Sequence, residues 1–122
     1  MNSKIVALVL APLFIFFGTS CSKPAVGQDT ALSACETWQT AWYNSLRENI
    51  GDASAQYGDF RPAYELAKTA SEQNPKWDPI YQALDDYTVY VLSSFNTTIF
   101  PDSDVQVAGM DICQEFGIDV MG

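Results

Sequence analysis

Histidine is absent from all 122 residues. That absence removes Ser-His-Asp and Cys-His nucleophilic arrangements, and it leaves no imidazole for a zinc site. Positive charge is scarce: six Lys and Arg stand against fifteen Asp and Glu, a formal net charge of −9. The basic residues are scattered, whereas binding to nucleic acid needs them clustered against phosphate. No nucleic-acid partner is expected. A glycine-rich phosphate loop is also missing. Asp102, Ser103 and Asp104 begin like a calcium loop, but an EF-hand needs Gly at its sixth position and Glu at its twelfth. Those positions hold Val107 and Cys113. The carboxylates offer no distinguished pair for glycoside hydrolysis. The chain is therefore expected to be no enzyme and to use no metal and no cofactor.

Long apolar runs are missing too. The longest, Ile5 to Phe17, has 13 residues, and a membrane-spanning helix needs about 20. Lys4 precedes the run and Gly18-Thr19-Ser20-Cys21 follows it. Residues 1–20 thus read as an export signal with a small-residue cleavage site. Gly18-Thr19-Ser20-Cys21 resembles a bacterial lipobox, with Gly18 standing where that motif usually has Leu. The resemblance implies a diacylglyceryl (palmitate-type) lipid on the Cys21 sulfur and cleavage that makes Cys21 the first residue. One acyl chain anchors marginally and two anchor stably. It places the protein on the extracytoplasmic face of the cell membrane, held by its N-terminal lipid.

After Cys21, two cysteines remain, Cys35 and Cys113. An exported chain lies in a disulfide-permissive compartment. The alternatives are a metal pair or two free thiols, and two Cys without His make a poor zinc site. A Cys35–Cys113 disulfide is the expectation. The remaining chain suits one domain. Residues 21–30, polar with Pro24 and Gly27, read as a flexible tether. Residues 31–122 read as the helical domain.

Four stretches of that domain show helical period. The first, about 33–49, has a capping-box signature at Ser33 and Glu36 and an apolar face of Cys35, Trp38, Trp42 and Leu46. The second, about 60–73, takes Asp59 as N-cap, puts Pro62 in its first turn and faces inward with Phe60, Ala63, Tyr64, Ala67 and Ala70. The third begins at Asp78-Pro79 and carries Ile80, Leu84, Tyr87, Val91 and Phe95. The fourth, about 104–115, has a second box at Ser103 and Gln106, an inward face of Val105, Ala108, Ile112 and Phe116, and a stop at Gly117. The expected fold is all-α: a small four-helix up-down bundle, in which the first and fourth helices are antiparallel neighbours and a disulfide between them closes the bundle.

Gly58, Asp59, Phe60, Ala63, Ala70, Pro75, Tyr81 and Leu84 stand at spacings that resemble part of one tetratricopeptide repeat. Ala67 replaces an expected aromatic, Asp85 an expected small residue, and no second copy follows. The whole layout resembles the small two-cysteine helical lipoproteins of Gram-positive, particularly actinobacterial, envelopes: signal, lipobox, tether, an early Cys and Cys113 to Gly117 near the end. That resemblance implies an acidic, membrane-anchored, non-enzymatic module that binds another envelope protein. The second expectation is a small-ligand carrier with an aromatic pocket between the helices, lined by Trp42, Tyr64, Tyr87 or Tyr90. Core filling accounts for aromatics at helical spacing as well.

Overall fold

Amphipathic helices in proteins draw most of their stability from burying their apolar stripes. A computed structural model describes residues 24–121. Their regular structure is entirely helical: α1 Gln28–Arg47, α2 Ala53–Gln73, α3 Asp78–Leu92 and α4 Ser103–Glu115, with 3-10 turns at Pro75–Trp77 and Thr97–Ile99. The expected export signal and Cys21 lie outside the described residues. Each helix packs on the next through a short connection, the arrangement of an up-down bundle. Cys35 and Cys113 form a disulfide that links α1 to α4, with Cα atoms 5.5 Å apart.

Small side chains bring the helices together. Ala31, Ala34 and Ala41 of α1 and Ala63, Ala67 and Ala70 of α2 are all buried. Trp38, Phe60, Ile80, Leu84 and Trp77 fill the remaining interior. Gly109 explains the approach of α4 to α3: a Cβ there would lie 2.7 Å from the Ala83 Cβ and 2.8 Å from the Pro79 carbonyl oxygen.

The helix starts differ from the sequence expectations for tertiary reasons. Residues 24–30 belong to the domain and do not form a tether. The Val26 carbonyl accepts hydrogen bonds from Trp77 Nε1 (2.7 Å) and Asn74 Nδ2 (3.1 Å). Gly27 turns the chain into α1 with φ +77°. Ser33 and Glu36 consequently lie inside α1, where no capping box is needed. α2 starts about two turns early because Asp52 is its N-cap, accepting from the Ala55 N–H at 3.1 Å. Asp59 and Pro62 are interior positions of α2. The Asp59 carboxylate instead accepts from Ser45 Oγ (3.2 Å) and Asn49 Nδ2 (2.8 Å), pinning α2 to α1. Asp102, not Ser103, caps α4 through the N–H groups of Asp104 and Val105. Gln106 reaches across to donate to the Ala83 carbonyl at 2.7 Å.

The helix ends follow a shared pattern. At α4, Gly117 N–H bonds the Gln114 carbonyl and Ile118 N–H bonds the Cys113 carbonyl, a Schellman stop with Gly117 at φ +78°. At α3, Ser94 N–H bonds the Val91 carbonyl and Phe95 N–H bonds the Tyr90 carbonyl. Here no glycine is present, and Ser94 and Phe95 both carry positive φ, 59° and 63°. A bulky side chain in that region is strained. Phe95 thus lies beyond α3, and its ring packs on Tyr90 with centroids 5.6 Å apart. The buried face of α4 is Gly109 and Cys113, rotated from the expected stripe and leaving Ala108 exposed.

Candidate functional site: an apolar groove between α1 and α4

The disulfide joins α1 and α4 near one end, and elsewhere those two helices make little backbone contact. A groove therefore opens along their seam. Its floor is an aromatic cluster. Trp42 meets Phe60 edge-on at 5.3 Å, Trp42 meets Tyr87 at 5.0 Å, and Phe60 meets Tyr87 at 4.7 Å between ring centroids. Such pairs hold beyond their buried area alone. Phe100 and Pro101 of the α3–α4 connection form one wall, and Gln106, Val107 and Met110 of α4 form the other. The groove encloses about 250 Å³.

Met121 covers one end of it. The Gly117 turn sends the chain back along α1, where Gln39 Nε2 donates to the Asp119 carbonyl at 2.7 Å. Val120 is buried, and the Met121 N–H donates to the Asp119 carboxylate at 3.2 Å. On the far side of Met121 and Trp42 a second concavity of about 460 Å³ is lined by Gln39, Thr40, Tyr43, Leu46, Arg47 and Val120. Leu46, expected in the core, is 53% exposed on this surface.

Polar anchoring of the floor is asymmetric. Tyr87 Oη donates to Gln56 Oε1 at 3.3 Å, and Gln56 Nε2 donates to the Asn49 carbonyl at 3.1 Å. Burial, with a smaller contribution from neighbouring Tyr90, pushes the Tyr87 phenol up to about 12, so it stays neutral at ordinary pH. The buried indole N–H groups of Trp42 and Trp38 have no hydrogen-bond partner among the described residues. An unpartnered buried donor costs about 1–3 kcal/mol.

Of the four aromatics singled out from the sequence, Trp42 and Tyr87 meet in the groove. Tyr90 stands behind it and supports Phe100, edge-on at 5.1 Å. Tyr64 is elsewhere, paired with Tyr81 at 5.6 Å between α2 and α3. Sequence reasoning missed Phe100, Val107, Met110 and Met121. Phe100 and Met121 lie outside any helical stripe, so periodicity carries no signal for them. Val107 and Met110 lie beside the stripe of α4, and their signal was an apolar position out of phase. Compared with known proteins, the chain matches no protein family, no curated protein and no solved structure.

Proposed function

We propose that this protein is a lipid-anchored, extracytoplasmic lipoprotein of the cell envelope, and that it acts without catalysis by binding another envelope protein through the groove over Trp42. The anchor rests on Cys21 and the lipobox-like residues before it. The binding role rests on one observation: Phe100, Val107 and Met121 are 67%, 50% and 55% exposed around a single apolar groove. Contiguous exposed apolar surface marks interaction sites, whereas apolar side chains exposed singly do not.

A small-ligand carrier is the second reading. It is favoured by the unpartnered Trp42 N–H beneath an aromatic-lined hollow. Ligand pockets usually measure about 300–1,000 Å³ and bury most of their ligand. The groove is smaller and open, which favours the macromolecular partner.

A photo-crosslinking residue at position 107 of the full chain, expressed in its own cells, tests the choice. The expected result is a discrete protein adduct that position 68 on exposed α2 does not form and that Met121→Gln abolishes. Equal adducts from both positions reject the reading. Saturation of Trp fluorescence by an apolar small molecule at stoichiometric ratio, with no such adduct, selects the carrier.

A further inference from the structure

Building on the binding role just proposed, we infer that the groove's occupant is a basic amphipathic helix of the partner protein, apolar on the face that enters and rich in Lys or Arg on its flanks.

Charge supports the sign. From Trp77 to Gly122 the sequence has no Lys or Arg, while Asp78, Asp85, Asp86, Asp102, Asp104, Asp111, Glu115 and Asp119 are all present. The α3–α4 side of the molecule is therefore of one sign. Asp104 and Asp111 stand three residues before and four after Val107, so they flank it on one helical row. Both are exposed. Asp119 borders Met121, whose N–H its carboxylate accepts. The groove is thus apolar along its floor and acidic along its α4 and tail edges. Arg47, stacked 4.9 Å over the Tyr43 ring, lines the second concavity, beyond Met121 and Trp42.

Shape and chemistry support a helix. The groove offers side chains, and no strand edge is present among the described residues that could pair with an extended peptide. A helix presents an apolar stripe without demanding backbone partners, the helix-in-groove mode of recognition. Met110 and Met121, the methionines of the described chain, both line this groove. Methionine is flexible and polarizable and adapts to varied apolar partners. Other occupants fit less well. A second copy would bring another strongly acidic surface, with like-charge repulsion. An anionic membrane surface would be repelled for the same reason.

The full chain in phosphatidylcholine vesicles provides the test. The probe is a fluorescent peptide of about 14 residues, Leu on one helical face and Lys on the other. Controls are a scrambled peptide of the same composition, a Glu-for-Lys peptide and empty vesicles. Saturable binding of the Leu/Lys peptide by anisotropy is expected, with both control peptides at least about tenfold weaker. The Asp104→Asn, Asp111→Asn, Asp119→Asn triple variant is expected to raise Kd about tenfold at low salt and to flatten its salt dependence. Val107→Asn or Met121→Gln, both at exposed positions, is expected to abolish binding while the helical circular dichroism stays unchanged. Equal binding of the Glu and Lys peptides, lost in Val107→Asn, overturns the basic partner and leaves the groove's binding role standing. Binding of any peptide that ignores Val107→Asn and Met121→Gln overturns both. Peptide uptake by empty vesicles alone, no binding at all, or self-association relieved by Val107→Asn also overturns the proposal.

Discussion

Cys35 in the second turn of α1 and Cys113 in the last turn of α4 are covalently joined, both fully buried, across a sequence separation of 78. They tie together two helices whose backbones otherwise stay apart, with the Trp38 side chain reaching Gly109 between them. The bridge therefore closes the bundle at one end and leaves the Trp42 groove open towards the other. It acts on stability and on the site at once.

Removing the bridge is expected to be costly. A loop of this length corresponds to about 4–5 kcal/mol in the chain-entropy picture. The Cys35→Ala, Cys113→Ala double variant should lose most of that in urea unfolding. A loss below about 1 kcal/mol would show that the α1–α2–α3 packing carries the fold by itself.

Two glycine substitutions should act with opposite sign. Gly109→Ala gains helix propensity of about 1 kcal/mol but drives a methyl into Ala83 and the Pro79 carbonyl. Overpacking of that kind costs roughly 1–3 kcal/mol, so net destabilisation is expected. Gly58→Ala, interior to α2 with open space around it, should stabilise by roughly 0.4–1 kcal/mol. Denaturant midpoints measured side by side decide it, and stabilisation by Gly109→Ala contradicts the close α3–α4 approach.

Ser94→Gly should stabilise the protein. Ser94 holds φ 59° after α3, where a Cβ costs about 1–2 kcal/mol that glycine avoids, less the greater unfolded-state freedom of glycine. A rise in melting temperature is expected. Phe95→Gly should lower it, because that change also deletes the packing on Tyr90.

Tyr87 predicts a pH dependence at the alkaline end. Its phenol is raised from 10.0 to about 12 in the fold. The unfolded chain therefore releases this proton first, and the native state keeps it. The stability tied to Tyr87 is intact below pH ~10 and is lost as pH rises towards 12. The decline in urea midpoint between pH 9 and 11 should be steeper in the wild type than in Tyr87→Phe. Identical slopes would place Tyr87 in solvent.

Cys21→Ser should abolish partitioning of the mature protein into the detergent phase. Unchanged partitioning and gel mobility of this variant would remove the lipid anchor from the proposed function.

Several of these features were readable before the fold was known. The 4-3-4 steps of Ile80, Leu84, Tyr87 and Val91 and the Asp78-Pro79 start located α3 closely. Cap signatures fared worse. Asp59 stands before a first-turn proline, Pro62, as an N-cap would, and only the contacts to Ser45 and Asn49 show that Asp59 serves a helix pair and not a helix start, which belongs to Asp52. Ser103 lost to Asp102 for a similar reason, since Gln106 is drawn away to α3. At the site, Trp42 and Tyr87 were legible as aromatics on inward faces, and Phe100 and Met121 were not. Their positions depend on the Ser94–Phe95 turn and the Gly117 turn, which swing non-helical chain over the seam.

The sequence by itself determined the helical class, the acidic charge, the absence of histidine chemistry and the expectation, not the fact, that Cys35 pairs with Cys113. These follow from composition and local spacing, which set what each segment can bury. Tertiary structure alone decided that residues 24–30 join the domain, that α4 is rotated onto Gly109 and that Trp42 lies under an open groove. Local spacing encodes which face of a helix is apolar. Which neighbour covers that face, and where coverage stops, depends on how closely two backbones approach, and that is settled by contacts between residues far apart in the chain.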